Sequence, residues 1–332
     1  MAKPNIAQIA KAAGVGTATV ERVLNGRGGV RPQTAMKVIA AARALDWPGR
    51  LPDQHRGLLL IEIILVRPEE NFFARLSLAF RKLGSIVDSS VQLQITFVDE
   101  SDGPAIARRI LTGDRPRAGL ILAAPGFPEV AEALATVQAK GLPVVQVVTR
   151  IIPEAEFVAI DNYAAGRTAA LMMTRMCAAT GPVITLCHGT SYQVHRDRIR
   201  GFSDFLAEWD IGRLTHMATL FSEDSRTIAN SQMRAALRQW PDLVGFYNAG
   251  GGNQGVMEVL SAQAKPVFFV GHELSPATEI GLKTGRADVV IDQMPETQAR
   301  RAVDLILHKI GLIGLTDGNP PIRFNLVTAE NL

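Results

Sequence analysis

Eight apolar runs of strand length recur along this 332-residue chain, separated by stretches of helical periodicity, and that alternation constrains the fold more than any other feature. The runs are "LLLIEIILV" from Leu58, "VQLQITFV" from Val91, "AGLILAA" from Ala118, "PVVQVV" from Pro143, "PVITLC" from Pro182, "LVGFYN" from Leu243, "PVFFVG" from Pro266 and "ADVVIDQ" from Ala287. Most are continuous rather than alternating, the mark of parallel strands covered by helices on both faces. The expected class is therefore α/β with doubly wound parallel sheets. A number of strands approaching ten exceeds what one compact sheet usually holds. Two similar subdomains are expected, with a ligand cleft between them at the carboxyl ends of the strands.

The first 46 residues follow a different pattern. Ile6, Ile9, Ala10 and Ala13 recur at helical spacing, Gly14 to Gly16 interrupts, Val20, Val23 and Leu24 resume, and Val38, Ile39, Ala42 and Leu45 form a third stripe. Three helices this short must share one small core. A break follows at "DWPGRLPDQHRG", Asp46 to Gly57, where Pro48, Gly49, Pro52 and Gly57 prevent a continuous element. The expected organisation is a headpiece over 1–47, a linker or hinge over 48–57 and a core over 58–332.

Charge separates the same two parts. Residues 1–50 hold eight Lys and Arg against Glu21 and Asp46, a surplus of +6, which leaves −3 for the rest of a chain whose net charge is +3. A basic end is where a polyanion binds. With 47% hydrophobic and 20% charged residues the chain reads as globular. No apolar run reaches the roughly 20 residues of a spanning helix, and the N-terminus has no signal-peptide pattern, so a cytoplasmic protein without membrane contact is expected. Cys177 and Cys187 lie in apolar surroundings outside any C-x-x-C arrangement and are expected to be buried free thiols.

"IAKAAGVGTATVERVLN" has the make-up of a helix-turn-helix unit, in which a glycine-containing turn joins two helices and the second enters the DNA major groove. Gly14 makes the turn and Val15 plugs the core. Thr17, Ala18 and Arg22 project from the second helix, where short side chains let the backbone approach the bases and an arginine can contact guanine with two hydrogen bonds. The alternative from the helix pattern alone is a three-helix dimerisation cap.

The order "IAQIAKAAGV…TATVERVLNGRGGVRPQTAMKVIAAARALDW" resembles the DNA-binding headpiece of the LacI (lactose repressor) family. The remainder is similar to that family's periplasmic sugar-binding-protein-like core, through "NFFARL" from Asn71, "AIDNYAAGRTAA" from Ala159, "RIRGF" from Arg198 and "VVIDQMPETQARRAV" from Val289. The resemblance implies that Thr17, Ala18 and Arg22 face base edges while Thr19, Asn25 and Thr34 meet backbone phosphates, fixing register rather than reading sequence. It also implies a homodimer on a near-palindromic double-stranded operator, with a small-molecule effector: a sugar, polyol, sugar acid or sugar phosphate. Three departures stand out. Glu21 replaces a serine beside phosphate, Gly16 replaces a serine cap, and Pro52 interrupts the hinge helix, whose minor-groove wedge would here be Leu51.

For the cleft, the resemblance places Arg198 where sugar hydroxyls are bound, and Asp161, Asn248, Glu273 and Gln293 at pocket positions near strand ends. Phe72 or Phe73 and Phe221 are candidates to stack on a sugar ring or to fill core. "GHELS" puts His272 and Glu273 where the family has another pair, and "YNAGGGNQG" brings Gly250, Gly251 and Gly252 to the cleft, a run able to cradle an anion.

No catalytic residue, cofactor or metal is expected. "HGTSYQVHRD" gathers Ser, His and Asp without a G-x-S-x-G elbow, and no G-x-G-x-x-G or Walker loop occurs. The rival is a solute (sugar) binding protein without a DNA role. The last 20 residues carry no leucine heptad, against a tetramerising coiled coil.

Overall fold

The computed structural model describes residues 4–27, 29–30, 32–49, 58–189, 192–209, 212–314 and 318–332. The headpiece is three helices, α1 (Ile6–Ala13), α2 (Thr17–Leu24) and α3 (Pro32–Ala44). Asn5 caps α1 by accepting from the Gln8 amide while the Gln8 side chain accepts from the Asn5 amide, a reciprocal pair that holds an otherwise short helix. Gly14 ends it at φ 65°, a left-handed conformation that glycine adopts without a Cβ penalty. Ile9, Ala10, Ala13, Val20, Val23, Val38, Ile39 and Ala42 form the buried core, and Trp47, outside the periodic stripes, packs against it. Leu51 and Pro52 of the hinge lie outside the described residues.

The first sheet holds β1 (Leu59–Leu65), β2 (Val91–Phe97), β3 (Gly119–Ala123), β4 (Val144–Val147) and β5 (Glu156–Val158) in the order β2-β1-β3-β4-β5, all parallel. Helices α4 (Asn71–Gly84), α5 (Gly103–Thr112) and α6 (Pro128–Ala139) cover it. The second sheet runs β11-β10-β9-β8-β6-β7. Its strands are β6 (Gly181–Cys187), β7 (Leu214–Phe221), β8 (Gly245–Asn248), β9 (Phe268–His272), β10 (Val289–Asp292) and β11 (Asn325–Val327), joined by α8 (Gln193–Trp209), α9 (Arg226–Gln239), α10 (Asn253–Ser261) and α11 (Pro276–Lys283). All eight apolar runs carry strands. The three further strands are short or at an edge: β5 and β11 have three residues each, and β7 is a half-exposed edge strand whose apolar residues are interrupted by Thr215, His216 and Thr219. β11 runs antiparallel to β10, a departure from the purely parallel expectation.

The chain passes between the two units three times. After β5 it enters α7 (Asn162–Met176), which packs on α8, β9 and β10. After β10 it turns through Met294, at φ 58°, into α12 (Pro295–Lys309), which returns to pack on α4, β3, β4 and β5. It then passes Ile322, bridged to Ile160, and ends in β11. α7 and α8 approach at two glycines: a Cβ on Gly166 would meet the Arg198 carbonyl, and one on Gly201 the Tyr163 carbonyl. Cys177 and Cys187 are buried and free, and burial pushes the Cys187 thiol up to about 12.

Candidate effector cleft and DNA-reading helix

The carboxyl ends of the strands in both sheets converge on a cleft that arginines of the first unit bridge to acids of the second. Arg67, in the turn after β1, donates from Nη1 to Asp224 Oδ2 at 2.6 Å, and its Nε lies 3.3 Å from Glu100 Oε2. Tyr192 of the second unit donates to the same Glu100 oxygen at 2.6 Å, and the Arg67 guanidinium lies over the Phe73 and Tyr192 rings. On the other side Arg75, on α4, reaches Glu273, Asp292 Oδ1 at 2.5 Å, the Leu274 carbonyl at 3.3 Å and Glu296 Oε2 at 2.9 Å. The cleft is thereby closed to a cavity of about 40 Å³, room for water but far below the roughly 300 Å³ of small-molecule pockets. A ligand of sugar size enters only as the units separate.

Arg198 sits behind this gate, 3% exposed, and its fork is satisfied inside the protein. Nε donates to Asn162 Oδ1 at 2.8 Å, Nη1 to the Ala249 carbonyl at 2.8 Å and Nη2 to Gln293 Oε1 at 2.5 Å. Gln293 Nε2 donates onward to Glu273 Oε2 at 3.1 Å. Asn162 begins α7 and Gln293 follows β10, so one side chain ties together two of the three crossings. Arg198 lies within α8, where burial pushes its pKa down.

Of the eight effector positions expected from the sequence, Phe72, Phe73, Arg198, Glu273 and Gln293 line the cleft. Three do not. Asp161 is exposed and caps α7, accepting from the Ala164 amide at 2.9 Å, because the first turn of that helix leaves amides without partners. Phe221 ends edge strand β7 and is 45% exposed, outside the lining. Asn248 lies one layer behind the lining, donating to the Gly251 carbonyl at 2.9 Å and Asn253 Oδ1 at 2.8 Å. The glycine run does cradle an anion, but one belonging to the protein: the Gly251 amide donates to Asp224 Oδ1 at 2.6 Å and the Gly250 amide to Asn248 Oδ1 at 3.2 Å. An external phosphate therefore finds the Gly250 and Gly251 amides engaged, although the run is able to cradle an anion. Arg67, Glu70, Arg75, Tyr192 and Asp224 have no periodic signature. Arg75 stands inside "NFFARL" itself, and Asp224 follows a strand without an apolar run.

The electrostatics divide sharply over short distances. Against burial, which alone would raise it, contact with His188 and the Arg67 charge hold Asp224 below the usual carboxylate range. His188 Nδ1 lies 3.2 Å from Arg67 Nη1 and 3.5 Å from Asp224 Oδ2, and its bond to Asp224 raises its pKa. Burial lowers His195 to about 3, and its Nδ1 accepts from the His188 amide at 3.0 Å. Glu70 caps α4, accepting from the Phe72 and Phe73 amides, yet burial and then the Asp224 charge push it up to about 7.

Glu70 thus holds its proton more tightly folded than unfolded. Its contribution to stability falls as pH climbs from the ordinary 4.5 to about 7 and is level above. His195 works the other way, its contribution falling as pH drops from 6.5 toward 3. Glu70→Gln removes the first term alone. The variant's urea midpoint, relative to the parent, is expected to rise between pH 5 and pH 8; a constant difference would show that Glu70 titrates normally.

In the headpiece, Val20 and Val23 face the core while Thr17, Ala18, Glu21, Arg22 and Asn25 share the exposed face of α2; Thr19 and Thr34 are half-buried. Gly16 caps α2 without a side-chain hydrogen bond, and Glu21 stands beside Arg22.

A family model described as periplasmic binding protein domain matches residues 105–311, and one described as bacterial regulatory proteins, lacI family, matches residues 5–48. A ligand-binding fold closed around a cleft is thus joined to a DNA-binding module. The chain belongs to the periplasmic binding protein family through its core and carries the helix-turn-helix of the lacI family of regulatory proteins ahead of it. The fold is similar to a solute-binding protein of an ABC transporter from Burkholderia graminis C4D1M in complex with D-arabinose. That structure is 20% identical, with TM-score 0.74, over 84% of this chain and 98% of that one. It is likewise similar to one from Actinobacillus succinogenes 130z with bound D-allose, at 15% identity and TM-score 0.72 over 82% and 98%. The glucose-galactose binding protein GanP of Geobacillus stearothermophilus aligns at 16% identity and TM-score 0.71 over 82% and 98%. No curated protein matches the chain. Among the described residues no helix is long and apolar enough to cross a membrane.

Proposed function

We propose that the protein is a sugar-responsive transcriptional regulator, a homodimer that sets two copies of α2 in successive major grooves of a near-palindromic operator. The observation that carries this reading is the joining, in one chain, of a helix whose exposed face holds Thr17, Ala18 and Arg22 to a cleft whose two walls meet through ion pairs. Thr19, Asn25 and Thr34 take backbone phosphates. Phe72, Phe73, Arg198, Glu273 and Gln293 receive the effector. The sugars named for the three similar structures support a hydroxyl-rich ligand. A ligand that replaces the Arg67–Asp224 and Arg75–Glu273 contacts with its own changes the balance between open and closed units. By linkage it changes DNA affinity by the same factor that DNA changes ligand affinity.

The test is fluorescence anisotropy on an operator selected by the protein from random duplexes, with and without added sugars. Arg22→Ala is expected to weaken binding to that operator by about 1–3 kcal/mol and to lower its preference over random duplex, because a two-bond base contact is lost. Equal losses on both DNAs would remove Arg22 from base reading. An operator affinity that no sugar alters would sink the effector half.

A further inference from the structure

The charges around the cleft do not balance. The groups at its walls and those ion-paired to them comprise six carboxylates, Glu70, Glu100, Asp224, Glu273, Asp292 and Glu296, against three guanidiniums and the His188 imidazole beside Asp224. Arg67 is committed to Asp224 and Glu100, and Arg75 to Glu273, Asp292 and Glu296. Arg198 spends its fork on neutral acceptors. Glu70 is left with two amides of its own helix, both on Oε2, and with no ion pair among the described residues. A buried carboxylate without an ion pair is stabilised by a ligand that brings a cation to it.

A second group in the same wall lacks a partner. His272 is 1% exposed; its Nε2 lies 2.7 Å from the Tyr247 hydroxyl, and its Nδ1 has no hydrogen bond. The Tyr247 hydroxyl engages Nε2, so Nδ1 is the ring nitrogen left for a ligand, as donor or acceptor according to the tautomer. Burial keeps this ring neutral. Phe72 and Phe73, edge to face at 5.5 Å, supply an apolar surface beside the two polar groups.

We propose that the cleft takes a sugar carrying a protonated amine, with the ammonium on Glu70 and a sugar hydroxyl on His272 Nδ1. This rests on the cleft being the effector site proposed above. Asp224, in the same wall, adds to the negative field that the ammonium meets. Acidic sugars meet that same field as repulsion.

The experiment is calorimetric titration of the full-length protein with D-glucosamine, D-galactosamine and D-mannosamine, each against its parent hexose and its N-acetyl form. At least one amine is expected to bind ten times or more tighter than both its neutral counterparts. Glu70→Gln should erase that ratio, while His272→Gln weakens amine and parent alike. The ratio in the unaltered protein decides the matter even if a variant fails to fold. A parent or N-acetyl sugar that binds as tightly as the amine overturns the proposal, as does a preference that survives Glu70→Gln in a folded variant. Neutral sugars that bind and release the operator would leave the regulator reading standing and sink the amine alone. Silence from every sugar would sink the amine, and an operator affinity unmoved by any of them would take the sugar-responsive reading with it.

Discussion

Arg198→Ala is expected to lose at least about 3 kcal/mol of stability and the effector response together. The truncation leaves Asn162 Oδ1, the Ala249 carbonyl and Gln293 Oε1 without their donor. Each buried polar group left unpaired costs about 1–3 kcal/mol, offset in part by water entering the space and by the desolvation no longer imposed on the guanidinium. Because Asn162 and Gln293 belong to two crossings between the units, the loss also loosens the geometry through which cleft closure is transmitted. Arg198→Lys keeps the charge but not the fork, since one ammonium cannot meet three acceptors in this arrangement, and is expected to fall between. Urea denaturation followed by operator release measures both effects. A variant as stable as the parent that fails only in response would make Arg198 purely a ligand contact, whereas the geometry makes it a clamp.

Gly166→Ala is the second large effect, a net destabilisation of about 2 kcal/mol. The added methyl points at the Arg198 carbonyl, part of a helix backbone rather than the yielding end of a side chain. Overpacking of this kind costs about 1–3 kcal/mol, sometimes more, and the helix propensity regained over glycine, about 1 kcal/mol, offsets only part. Gly201→Ala meets the Tyr163 carbonyl from the opposite helix and should behave alike. Once one methyl has spread α7 and α8 the second costs less, so the double variant is expected to lose less than the two singles together. Thermal melts of the three variants test this. Unchanged midpoints would show that the helices separate freely, and additive losses that each glycine acts alone.

Parts of the site were legible because they are local. Phe72 and Phe73 sit two residues into a helix after a buried strand, and Glu273 and Gln293 follow strands with continuous apolar runs, so pattern and family resemblance place them together. Asp161 was grouped with them by the family resemblance and lies outside the cleft, because a carboxylate at a strand-to-helix junction serves a helix cap as readily as a ligand. Phe221 failed because β7 is an edge strand whose last side chain faces away from the cleft lining.

By itself the sequence determined the three headpiece helices and eight of the described strands, since helical and strand periodicities are near-neighbour properties carried in every few residues. β5, β7 and β11 escaped it because a three-residue strand or a half-exposed edge demands no apolar run. Only the tertiary structure decided that Arg67 meets Asp224 157 residues away and Arg75 meets Glu273 198 residues away, and that the glycine run holds Asp224 rather than an outside anion. Those pairings depend on strand order and on three crossings of the chain. The charges concerned have no periodicity, and their partners follow from where the packing of two cores brings the strand ends together.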